Sequence, residues 1–198
     1  LALSPETIRS SAEEAHLRGL SVHIDGARIF NASAAWNCSV KEYASSVDSL
    51  QFCISKGLGA PVGSLLCGAR SFIDAARHWR KRLGGGLRQA GILAAAGLFA
   101  LERNIDRLRE DHENAELLGR LLSGGGVIQV EHNEKPTNMV YCKVPEGACA
   151  DLHTRCAARG VLFNGVSDNR FRLVTHLDVS REQIVRAAEI ILEEAAAS

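Results

Sequence analysis

The chain has 198 residues, 46% hydrophobic and 23% charged, an ordinary globular composition with enough length to bury a sizeable core. Its 23 basic and 23 acidic side chains cancel, so there is no basic field for nucleic acid or an anionic membrane, and any anion recognition must be local. No apolar run reaches the length of a membrane span, and no cleavable tripartite signal follows Leu1.

In chain order, Ser4-Pro5-Glu6 predicts a helix start, with Ser as N-cap and Pro in the first turn. That helix should run to about His16 and stop at Gly19. Residues 20–24 read as a short buried strand that ends in Asp25-Gly26-Ala27-Arg28. Helices are expected over 29–36 and 41–45, and a strand over 49–54. A glycine-punctuated turn, Lys56-Gly57-Leu58-Gly59-Ala60-Pro61, leads to an apolar strand over 62–67. A basic helix follows at 72–82. After Gly84-Gly85-Gly86, one long helix is expected from about Arg88 to beyond Glu110, apolar nearly all round in its middle and therefore buried. Charge density then rises to Glu116, and Gly124-Gly125-Gly126 marks a turn. Strands at 127–130, 138–144 and 171–174 and helices at 148–158 and 180–196 complete a second module. The predicted fold class is α/β for residues 1–110, followed by a small α+β domain over 111–198.

The six cysteines (Cys38, Cys53, Cys67, Cys142, Cys149 and Cys156) form no CxxC pair, and neither Cys nor His shows zinc-ligand spacing, so no metal is expected. Cys53, Cys67 and Cys142 lie in apolar stretches, where a free thiol behaves as a small hydrophobe. A reducing compartment is the simpler expectation, such as the cytoplasm or a mitochondrial matrix.

Two segments could carry chemistry. In Ser49-Leu50-Gln51-Phe52-Cys53-Ile54-Ser55-Lys56-Gly57, an apolar strand delivers a lysine to its end and a glycine follows at once. A lysine amine desolvated by apolar neighbours becomes a nucleophile, and glycine lets a flat group approach the backbone. The alternative is a strand-end lysine pointing to water. In His23-Ile24-Asp25-Gly26-Ala27-Arg28, Asp25 ends a strand where open α/β sheets place ligands. Its carboxylate could face a protonated pyridine nitrogen, and Arg28 offers a fork for a carboxylate. The alternative is a plain helix N-cap at Asp25. His23 shares the face of Asp25 and reads as a supporting residue.

Together these segments resemble the threonine aldolase family of fold-type-I pyridoxal-phosphate (PLP) enzymes. HIDGARIFNA (23–32), VDSLQFCISKGLGAPVGS (47–64), WRKRLGGGLRQAGILAAAGLFAL (79–101), TNMVY (137–141) and FRLVTHLDVS (171–180) carry the resemblance in family order. It implies a partial PLP-transferase large domain followed by a small C-terminal domain, and a cofactor, pyridoxal 5'-phosphate. Lys56 matches the Schiff-base lysine and Asp25 the partner of the pyridine nitrogen. Arg28 matches an arginine near the cofactor hydroxyl and the substrate carboxylate, and Arg172 the second-domain clamp on that carboxylate. Arg88 matches an arginine that reaches the cofactor phosphate of a neighbouring subunit, with Lys81 possible nearby. As a cation at the start of the predicted long helix, Arg88 is also better explained with an anion beside it. Arg172, Thr175 and His176 could equally be structural groups on a strand or at its end.

The implied activity is cleavage of L-threonine or L-allo-threonine to glycine and an aldehyde, in a homodimer or homotetramer. The family's phosphate loop, its ring-stacking residue and its hydroxyl base have no counterpart in these residues. Leu1 stands in place of an initiating Met, so the chain reads as truncated at its front. A catalytically incompetent remnant, a β-eliminating lyase and an aminotransferase are the alternatives.

Overall fold

A computed structural model describes residues 2–131, 134–145, 151–164 and 169–197. They form two compact units, Ala2–Leu108 and Arg109 onward, each with its own core.

The first unit opens with α1, Pro5–Leu17. The Ser4 hydroxyl accepts from the Thr7 amide at 3.0 Å, so the expected cap is in place. The helix stops before Gly19, which takes φ +70°, a conformation that costs a glycine nothing. Strands β1 (His23–Asp25), β2 (Ser49–Cys53) and β3 (Ser64–Gly68) form one sheet in the order β1-β2-β3. The β1–β2 pair is parallel, with Asp25 opposite Gln51, and the β2–β3 pair is antiparallel, with Cys53 opposite Ser64. Helices α2 (Ile29–Trp36) and α3 (Val40–Ala44) make the crossover between β1 and β2. A reciprocal Ser39–Glu42 capping box starts α3.

Alternation along the strands sorts their side chains. Ile24, Leu50 and Phe52 point into a core with Ile29, Tyr43, Ile54, Leu58, Ala100 and Leu108. His23, Asp25, Ser49, Gln51 and Cys53 take the opposite face.

The expected buried strand over 20–24 is corrected in both register and burial. Leu20 is 59% exposed, and β1 begins at His23. The apolar strand expected over 62–67 is Ser64–Gly68, and every residue of it is exposed. Both β1 and β3 are edges of the sheet among the described residues, so apolar composition did not translate into burial.

The basic helix is α4, Arg70–Arg82, with the Arg82 guanidinium 5.0 Å from the Trp79 ring centroid. The single long helix expected from Arg88 is two helices, α5 (Gly91–Arg103) and α6 (Leu108–Gly124). Asn104 ends α5, and its side chain donates to the Leu58 carbonyl at 2.7 Å. Nor is α5 buried all round: only Gly97 and Ala100 are buried, and Ile92 is 84% exposed.

The second unit is an antiparallel sheet in the order β4-β5-β6, from Gln129–Val130, Met139–Lys143 and Arg170–Val174. Helices α7 (Leu152–Ala158) and α8 (Arg181–Ala196) complete it, and α8 begins with a Ser180–Gln183 capping box. Leu118, Leu122, Val140, Cys142, Phe171, Leu173, Ile184 and Ile191 fill its core. The expected helix start at 148–150, and with it Cys149, lies outside the described residues.

Candidate functional site

The carboxyl ends of two neighbouring parallel strands are where an open α/β sheet presents its ligand site. Here those ends are Asp25 on β1 and Cys53 on β2, with Lys56 three residues beyond in the turn. The Gly26 amide donates to the Gln51 carbonyl at 2.9 Å, closing the first turn onto β2. A Cβ on Gly26 would stand 3.0 Å from that same oxygen, so only glycine fits there without displacement. The second turn is closed by Gly59 donating to the Lys56 carbonyl at 2.9 Å and Ala60 to the Ile54 carbonyl at 2.9 Å. Gly57 is buried, and a Cβ on it would meet Leu108 Cδ2 at 2.9 Å and Asn31 Oδ1 at 3.3 Å. The turn is thus seated on the core while Lys56 itself is exposed.

That exposure decides between the two readings of the strand end: Lys56 points to water, its neighbours on the polar face are Cys53 and Ser64, and apolar Ile54 belongs to the core. Lys56 Nζ donates to Cys53 Sγ at 3.2 Å, and Sγ lies 3.2 Å from Ser64 Oγ. The Ser64 hydroxyl, followed by the Lys56 ammonium, holds the Cys53 thiol below its usual value, against partial burial and the Asp25 carboxylate. Asp25 and Lys56 therefore act on one sulfur from the two strand ends.

Asp25 is not a helix N-cap. Residue Arg28 takes that place for α2, without a side-chain cap bond. Asp25 Oδ1 instead accepts from Gln51 Nε2 and from the Ala27 amide at 3.3 Å. Its Oδ2 accepts no hydrogen bond from the described residues. His23 Nδ1 is bonded to Ser49 Oγ at 2.9 Å, on the same face.

The remaining candidates lie elsewhere. Lys81 is in the last turn of α4, its stem against the Gly86 backbone. Arg88 is exposed and precedes α5 rather than opening it, so the expected placement of a cation inside a helix start does not hold. Among the described residues no hydrogen bond joins Lys81 or Arg88 to Asp25 or Lys56. Arg172 stands on β6 of the second unit, opposite Tyr141. Thr175 is buried and donates to the Asp111 carbonyl at 2.6 Å, the satisfied role left open for it. His176 Nδ1 lies 3.3 Å from an Asp178 carboxylate oxygen.

Sequence reasoning missed Gln51, Cys53 and Ser64. Cys53 was taken for a small hydrophobe, as was Cys67, which is exposed. Cys142 does behave so: burial pushes its thiol up to about 12. The overlooked signal was the alternation Ser49-x-Gln51-x-Cys53, which puts three polar side chains on the face of Asp25.

The residues present fit a pyridoxal cofactor. One open carboxylate oxygen could face a ring nitrogen, an accessible amine could bond its aldehyde, and two glycines keep the turns clear of side chains. The fold is that of the fold-type-I PLP enzymes. It matches the threonine aldolase of Leishmania major with a TM-score of 0.74 at 16% identity, over 98% of this chain and 57% of that one. An aminotransferase from Streptoalloteichus hindustanus gives 0.67 at 16%, over 99% and 64%. The family model described as beta-eliminating lyase matches residues 2–145, and the chain belongs to that family. It is 47% identical to a low specificity L-threonine aldolase of Escherichia coli strain K12, over 94% of this chain and 54% of that protein. For low-specificity L-threonine aldolase 1 of Arabidopsis thaliana the identity is 40%, over 92% and 52%. The chain thus spans about half the length of the curated relatives it matches.

Proposed function

We propose that the complete protein is a PLP-dependent aldolase that splits β-hydroxy-α-amino acids, L-threonine and L-allo-threonine among them, into glycine and an aldehyde. The observation that carries this reading is the pairing of Asp25 and Lys56 at adjacent ends of β1 and β2, on one polar face. Identity to relatives named threonine aldolases supports the choice of reaction. Bound pyridoxal phosphate would supply the electron sink for the pair released when the Cα–Cβ bond breaks.

The chain's own residues then have separate tasks. Lys56 would hold the cofactor through its amine, and Asp25 would keep a proton on the ring nitrogen through its open oxygen. Arg28 and Arg172 bind the substrate carboxylate, for which a guanidinium fork is suited. Arg88 binds the phosphate in a neighbouring subunit's site, with Lys81 a secondary candidate, so a homodimer or homotetramer is the working assembly.

The test is Lys56→Ala in the complete protein. Wild type should give a borohydride-reducible PLP adduct on the peptide containing Lys56 and release glycine from threonine. The variant should do neither, and retained turnover would exclude the assignment. The family description favours one second reading, β-elimination. Glycine with acetaldehyde, rather than pyruvate or another keto acid, decides between the two. Adding PLP to the 198-residue chain alone asks whether this half is a remnant: a specific adduct with aldolase turnover would refute that view.

A further inference from the structure

The Cys53–Lys56 contact has no task in the reaction just described. Its geometry is well defined. Cys53 sits at the last position of β2 and faces Ser64 across the β2–β3 ladder, so its backbone is held by the sheet on the β3 side. Lys56 lies three residues on, in an exposed turn, with Nζ 3.2 Å from that sulfur. Sγ is 3.2 Å from Ser64 Oγ as well, so the thiol is held from the scaffold side and offered to the amine on the other.

We propose that Cys53 is the positioning residue of Lys56: its sulfur docks the free amine at the strand end before the cofactor is bound and releases it when the amine is engaged. This rests on the reading of Lys56 as the cofactor's anchor. An exposed lysine has four flexible torsions and a strongly hydrated head, so an undocked amine would spend most of its time away from the strand ends. Holding a reacting group near its attack position removes part of the entropic barrier to bond formation. Sulfur serves as the acceptor because it lies within hydrogen-bond reach of both the Lys56 ammonium and the Ser64 hydroxyl, which together hold the thiol below its usual value against partial burial and the Asp25 carboxylate. Engagement of the amine with an aldehyde removes the ammonium from Sγ, so thiol acidity and cofactor loading are linked.

Two readouts test this in the complete protein without measuring turnover. The first is the pH dependence of iodoacetamide alkylation at Cys53 in the cofactor-free state, followed on the peptide mass. Lys56→Met should move its midpoint upward, on the order of one pH unit, because an opposite charge has been removed from contact. The second is the rate at which PLP forms a borohydride-trapped adduct at Lys56. Cys53→Ala should slow it roughly three- to tenfold, and Cys53→Ser, whose hydroxyl can still accept from the amine, should restore most of the loss. An unshifted alkylation midpoint in Lys56→Met overturns the contact, even if Cys53→Ala fails to fold. An unchanged adduct rate in a folded Cys53→Ala protein overturns the positioning role alone. Absence of any Lys56 adduct in wild type sinks the cofactor reading, and the role with it.

Discussion

Asp25 shows how a single carboxyl can be held by its turn and still keep one oxygen for a ligand. Oδ1 is committed to Gln51 and the Ala27 amide. Asp25→Asn keeps an acceptor oxygen for both and removes only the charge. Thermal stability should therefore change by less than about 1 kcal/mol, while turnover in the complete protein falls at least about 100-fold, because a neutral amide cannot hold the ring proton. Melting and threonine cleavage measured on one preparation check both halves. A second residue carries pH dependence. Burial lowers His112 from 6.5 to about 4. Between those values the unfolded chain binds a proton that the folded chain refuses, so stability is full above pH 6.5 and is lost as pH falls toward 4. Discounted for its partial exposure, this is roughly 1–2 kcal/mol, and His112→Gln should flatten that limb of a stability–pH curve. Of the candidate site residues, Asp25 and Lys56 could be picked out locally, because Asp25 ends a strand, Lys56 follows one by three residues, and a glycine comes next to each. Gln51 and Ser64 were not, since their roles depend on which strand lies next to which, and local pattern does not contain that.

At the scale of elements, helix starts were read best where a side chain caps its own backbone. Ser4 and Ser180 both do so, and their signatures span three or four residues. Ser180→Ala should cost about 1 kcal/mol, seen as a lower urea midpoint at unchanged slope; an unchanged midpoint would mean that α8 is held by packing alone. The α5–α6 break was illegible for the opposite reason. Residues 88–124 contain no proline, and no glycine falls between Gly97 and Gly119, so the helical pattern runs through the break without a breaker. Asn104 stops α5 with a partner, the Leu58 carbonyl, that is 46 positions away. The burial errors at β1, β3 and α5 share one cause. Apolar composition reports what an element can bury, and burial needs a neighbour that this stretch of chain does not present.

At the scale of the molecule, the two units differ in how well their apolar residues are covered. The second unit closes α6, α8 and a three-stranded sheet over a core in which Leu122, Leu152 and Ile191 are fully buried. In the first unit, Val62, Leu65, Leu66, Phe72, Trp79, Leu83, Leu87, Ile92, Leu98 and Phe99 are all exposed. That is far more than scattered surface hydrophobes explain, and β3 adds an open strand edge. The 198-residue chain should therefore bind an apolar fluorescent dye strongly while keeping native far-UV circular dichroism. Leu66→Lys and Phe99→Lys should each reduce that binding without lowering stability by more than about 1 kcal/mol, because both side chains already face water. Equal substitutions in the second unit, at buried Leu122 or Ile191, should instead unfold it. If the unsubstituted chain binds little dye while its far-UV signal is native, the exposed residues are covered in solution. In that case the first unit's apolar face is closed by association of the chain with itself, and sedimentation at two concentrations would show it.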